Sequence, residues 1–103
     1  MTWAMDELEA RAAVQLGRLR DFGEAMSSIR VRESDSDDVI SVEVDGNGAL
    51  VGLWMTDGAN ELGATGLGER IASVALIAAQ RAFAQRAALT EEFTAEFGEL
   101  MAQ

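Results

Sequence analysis

The stretch Val39–Met55, VISVEVDGNGALVGLWM, constrains the fold more than any other part of the chain. Apolar and other residues alternate on both sides of Asp45-Gly46-Asn47-Gly48. Glycine and asparagine tolerate positive φ, so this tetrapeptide is a tight turn between two antiparallel strands. The alternation predicts strands over Val39–Val44 and Leu50–Met55. One face carries Ile40, Val42 and Val44 with Val51, Leu53 and Met55, the expected core. The other carries Val39, Ser41 and Glu43 with Leu50, Gly52 and Trp54. A lone hairpin is marginal in water, so its apolar face needs a cover. The sequence on either side is helical in pattern.

Before the hairpin, Met5, Leu8, Ala12, Leu16, Leu19, Phe22 and Met26 recur at steps of three and four, predicting a helix over about Thr2–Ser28. A helix of about 27 residues is about 40 Å long, more than a domain this small can cover. Ile29–Glu33, IRVRE, alternates apolar residues with arginine and reads as a short strand. Ser34–Asp38, SDSDD, reads as the turn that follows. After the hairpin, Thr56–Gly66 is a glycine-containing loop. A second helix starts near Leu67, with Ile71, Val74, Ala75, Ala78 and Ala82 on one stripe and Leu89, Phe93, Phe97 and Leu100 continuing it. Thr90-Glu91-Glu92 resembles a new helix start, so this helix either runs to about Met101 or breaks near Leu89. The expectation is a single α+β domain over residues 1–103: an α-β-β-β-α subunit with a three-stranded antiparallel sheet and two long helices.

Composition narrows the chemistry. The chain has no Cys and no His, which removes thiolate chemistry, disulfides, the usual neutral-pH acid/base group and the commonest metal ligand. It also lacks Tyr, Lys and Pro. No enzymatic activity is expected from this inventory. The 18 acids outnumber the 8 bases, all arginine, for a net charge of −10. Such a chain is soluble, repels its own kind and is pushed away from polyanions. No charged-then-apolar leader opens the sequence, and its longest apolar run, Ile71–Ala79, is too short to span a bilayer. A cytoplasmic location and no membrane partner are expected.

The acidic turn fails the calcium-loop pattern: counting from Asp35, the sixth position is Ile40 and the twelfth Gly46, where glycine and glutamate are needed. The glycines from Gly46 to Gly68 fit neither the dinucleotide nor the P-loop spacing. Several arginines on the first helix have acids at helical spacing, Glu7 with Arg11, Arg18 with Asp21 and Arg20 with Glu24, which suits local ion pairs. Arg30 and Arg32 share the outer sheet face with Trp54, and Glu43 lies across the hairpin from them. A large aromatic on an outer sheet face suits an interface.

Three segments together, MDELEARAAVQLGRLRDF, VISVEVDGNGALVGLWM and LGERIASVALIAAQRA, resemble the YbaB/EbfC family of bacterial nucleoid-associated proteins in its actinobacterial form. The match runs along nearly the whole chain, and the hairpin followed by an alanine-rich helix is its most specific part. The resemblance implies a tweezer-like homodimer, a place on the nucleoid, and association with duplex DNA through phosphate contacts with little sequence preference. It implies no cofactor and no small-molecule substrate. The family has no sharp DNA-contact motif, so candidates for phosphate contact follow from charge alone: Arg11, Arg18, Arg30, Arg32, Arg81 and Arg86. Candidate interface residues are Trp54, Leu8, Leu19, Met26, Ile71 and Phe93. Absence of lysine and a dimer charge of twice −10 depart from a strong DNA binder. The alternative is an acidic dimeric adaptor or chaperone-like accessory protein that binds protein, as relatives near type VII secretion loci suggest.

Overall fold

A computed structural model describes residues 2–102. The order is helix α1 (Thr2–Ser27), strands β1 (Arg30–Ser34), β2 (Ile40–Asp45) and β3 (Leu50–Met55), a short 3-10 turn (Asp57–Leu62), and helix α2 (Gly63–Ala102). This is the expected α-β-β-β-α, α+β architecture. The sheet is antiparallel in the order β1-β2-β3. Val31 pairs with Val44, and Val42 pairs with Leu53. The 3-10 turn falls inside the segment expected to be an open loop. Its Ala59 is buried, and Val39, expected on the outer sheet face, packs against the core beneath Gly58.

α2 lies across the inner face of β1 and β2. Val74, Ala78 and Ala82, one turn apart, are buried on Ile29, Val31, Ile40, Val42 and Val44. Ala78 and Ala82 are fully buried, and their lack of bulk lets the helix axis approach the sheet closely. Arg70 and Arg81 leave the β1 flank of the helix and reach acids of the β1–β2 ribbon. Arg70 pairs with Asp35 at 2.9 Å and Asp37 at 3.0 Å, and Arg81 pairs with Glu33.

The inner face of β3 differs from expectation. Val51, Leu53 and Met55 are not core: Leu53 is 38% exposed, the other two more so. A helix is about 10–12 Å wide and strands are about 4.8 Å apart, so one helix covers about two strands. The third is left open. A bulge between Glu43 and Val44 also shifts the register, so that Leu50, and not Val51, stands opposite Val44.

α2 is continuous to Ala102 and does not break at Leu89. The hydroxyl of Thr90 donates to the carbonyl of Arg86 at 2.9 Å, a bond back into the preceding turn instead of a cap. Its outer half leaves the sheet and meets the end of α1, where Phe22 stacks on Phe93 at 4.3 Å and Phe93 on Phe97 at 5.1 Å. The first half of α1 projects beyond this contact. The molecule measures 75 × 18 × 16 Å, with a radius of gyration of 20.9 Å, against about 13 Å for a compact chain this long.

Candidate functional site

The surface offers three distinct features: an uncovered apolar face, an outer sheet face with arginine and tryptophan, and a polar cavity where α1, the β2–β3 turn and α2 meet.

The apolar face combines Leu50, Val51, Leu53 and Met55 of β3 with one flank of α2. Phe83 and Ala79 lie against Gly48 of the β2–β3 turn, so close that a Cβ on Gly48 would stand 2.8 Å from the Phe83 ring. Gly48 also has φ +79°, which glycine adopts without steric cost. Leu76, two turns before Phe83 on the same side of the helix, extends the flank. Leu76 and Phe83 are both exposed, and β3 presents an unpaired edge beside them.

On the outer face, Trp54 folds back over Gly52, where a Cβ would meet the indole at 2.5 Å. The Arg32 guanidinium sits 3.8 Å from the indole centroid. Glu43, across the hairpin from Arg30 and Arg32, makes no ion pair with either among the described residues. Arg30 donates to the carbonyls of Ser27 and Ile29 and so closes the end of α1.

The six candidate arginines do not form one stripe. Arg11 and Arg18 are exposed on α1, and none of the intrahelical pairs expected there is formed among the described residues. Arg32 lies on the outer sheet face, and Arg81 is held by Glu33. Only Arg30 and Arg86 come together, at the polar cavity. Of the interface candidates, Leu8, Leu19 and Trp54 are exposed, Met26 and Ile71 pack against the core, and Phe93 is half-buried between Phe22 and Phe97. The acidic turn holds a residue that its composition hides. The Asp35 side chain is 6% exposed and accepts from the N–H of Val39 at 2.7 Å, the N–H of Ile40 at 3.1 Å and Arg70.

Among the described residues, no three His, Cys, Asp or Glu side chains gather as a metal site. The segment Asp57–Ala102 is long and apolar enough by composition to cross a membrane, with mean hydropathy 1.3 in its best window. Its only long charge-free stretch runs from Arg70 to Arg81, far short of the ~20 apolar residues a span needs, and its Val74-Ala78-Ala82 stripe is packed on the sheet. Compared with models of protein families, with curated proteins and with solved structures, the chain matches none.

Proposed function

We propose that this chain is a cytoplasmic, homodimeric, nucleoid-associated protein that contacts duplex DNA through its phosphates, with little sequence preference. The observation that supports this most is the subunit itself. An α-β-β-β-α chain with projecting helices is what the sequence resemblance implies for each half of a tweezer-like dimer. The open β3/α2 face is the natural seat of the second copy, because self-pairing would bury Leu53, Met55 and Phe83 together and complete the sheet edge.

The protein's own charge of −10 repels the phosphates that its arginines would bind. Binding is therefore expected to be weak and steeply dependent on salt, since release of counterions drives it. The test is fluorescence anisotropy of a labelled duplex at about 50 mM salt with micromolar protein, repeated as salt rises. The reading predicts a rise in anisotropy that disappears with salt and that scrambling the duplex sequence leaves unchanged. No rise at low salt would refute unaided DNA binding.

One observation favours a second reading, the acidic adaptor. Arg30, Arg32, Arg81 and Arg86 already have partners within the chain, in carbonyls, an indole, a carboxylate and an amide. In that case the same dimer displays its apolar arms to a protein. An absent DNA signal together with retention of a specific protein in pull-downs from the native cell would select it.

A further inference from the structure

Arg30 and Arg86 stand far apart in sequence, at the start of β1 and in the middle of α2. The fold brings them to one open cavity of about 240 Å³, shared with Asn47 and Asp45 of the β2–β3 turn and with Ser27 at the end of α1. Gly46 suits this meeting: a Cβ there would stand 3.1 Å from the carbonyl oxygen of Met26, so a larger residue would have to move the turn and the end of α1 a few tenths of an ångström apart.

The hydrogen bonds leave a particular set of donors free. Arg30 uses one terminal nitrogen for the carbonyls of Ser27 at 3.2 Å and Ile29 at 2.7 Å. A terminal guanidinium nitrogen has two hydrogens, so both are taken. What remains is the edge formed by Nε and the other terminal nitrogen, the fork that matches two oxygens of a phosphate. Arg86 donates one N–H to Oδ1 of Asn47 at 2.9 Å. That bond fixes the amide with its oxygen toward Arg86 and leaves the Nδ2 hydrogens as donors. The one acid of the cavity, Asp45, has its Oδ1 occupied by the N–H groups of Asn47 at 2.9 Å and Ala49 at 3.0 Å. Two guanidinium cations thus face one carboxylate that is already turned into its own turn. The carbonyls at the end of α1 subtract from the positive potential, but Arg30 covers that of Ser27, the last residue of the helix.

We infer that Arg30, Arg86 and the Asn47 amide form a site for a single phosphate group. This rests on the DNA-binding reading for the source of the phosphate, not for the chemistry of the site, which takes a backbone phosphodiester or free phosphate through the same donors. It also separates two of the six arginines from the rest: Arg11, Arg18, Arg32 and Arg81 have no such convergence.

Two measurements test the site apart from the reading. In the first, inorganic phosphate is titrated into the uniformly 15N-labelled protein, with chloride at equal ionic strength as control. The Asn47 side-chain amide and the Arg86 Nε signal are expected to shift saturably with phosphate alone, and Arg86→Gln is expected to abolish the shift. A response no different from chloride would overturn the site, whatever the protein does with DNA. In the second, duplex affinity is measured against salt. Removing one phosphate from the set that the protein neutralises lowers the slope of log K against log salt by about 0.9. Arg86→Gln and Arg30→Gln are each expected to lower it by that amount for every copy of the site that engages the duplex, and the double variant by no more than either single one, because both serve one phosphate. A double variant whose slope falls by twice as much, or an Arg86→Gln protein with an unchanged slope, would overturn the shared site while DNA binding stood. Phosphate saturation without any DNA binding would retain the site and refute the DNA reading. Because Arg30 also closes α1, Arg86→Gln, on an exposed helix position, is the deciding variant.

Discussion

Asp35 sits at the start of the β1–β2 turn with its carboxylate turned inward. Burial alone pushes such a group up, since it penalises the charged form. The N–H of Ile40, the Arg70 guanidinium and the N–H of Val39 all bond the charged form, and together they outweigh burial and hold Asp35 below the usual carboxylate range. A group whose pKa is lower folded than unfolded adds stability above its unfolded value, about 3.9, and loses it as pH falls through the folded value. The contribution is therefore complete at neutral pH and fades in acid below about pH 4. Other acids titrate there too, and relief of the −10 self-repulsion works the opposite way, so the expected result is a difference. Urea-denaturation stability of the native protein minus that of Asp35→Asn should be positive and constant near neutrality and shrink below about pH 4. A difference independent of pH would mean that the charge of Asp35 does not hold the turn. Composition marks the SDSDD segment as a turn, and it is one. Nothing local marks Asp35 as its anchor, because the cation that selects it, Arg70, is 35 residues away and reaches it only once α2 lies on the sheet.

At the scale of elements, the period-two alternation of β2 and the small-residue stripe of α2 were readable, because each is a local pattern that packing obeys. Ile40, Val42 and Val44 are buried where alternation places them, under Val74, Ala78 and Ala82. β3 has the same alternation and yet stays uncovered. Its pattern tells which face is apolar but not what covers it, and a single helix has width for two strands only. The continuity of α2 past Leu89 was equally out of reach, since Thr90-Glu91-Glu92 satisfies both a helix interior and a helix start. The arginine pair at the cavity was hidden for the same reason as Asp35: its members meet through three separate elements. The closeness of α2 to the sheet makes a test of this packing. Ala78→Leu inserts a branched side chain where no volume is free, so it should destabilise the subunit by about 1–3 kcal/mol. Ala72→Leu, at an exposed position of the same helix, should change stability little. Equal effects of the two in urea denaturation would show that the helix does not lie against the sheet at Ala78.

The whole molecule is long for its mass and leaves large apolar side chains of β3, α1 and α2 uncovered. Its 75 Å length comes from two helices that run past the sheet and meet around Phe22, Phe93 and Phe97. Beyond that contact the start of α1 has no partner among the described residues, and an isolated helical segment so short is marginal in water. Trp3, Met5 and Leu8 are all exposed there. Contiguous exposed apolar side chains suit contact surfaces, and β3 supplies both an apolar face and a free edge. A second copy seated on that face, with Leu53 and Phe83 near its centre, satisfies these demands at once. It must also overcome the repulsion between two chains of charge −10, so association should strengthen as salt screens it. That sign is opposite to the DNA equilibrium, which salt weakens, and the two are therefore separable in one titration series. Light scattering is expected to give twice the chain mass of 11.0 kDa at micromolar concentration, with a melting temperature that rises with protein concentration, as mass action requires. Leu53→Glu buries a charge at the centre of the face in a dimer but leaves it in water in a monomer. It should therefore yield the monomer mass while the helical circular dichroism from α2 persists. A wild-type chain that remains at the mass of one subunit at high salt and high micromolar concentration would refute the dimer, and a Leu53→Glu protein that stays dimeric would move the interface elsewhere on the molecule.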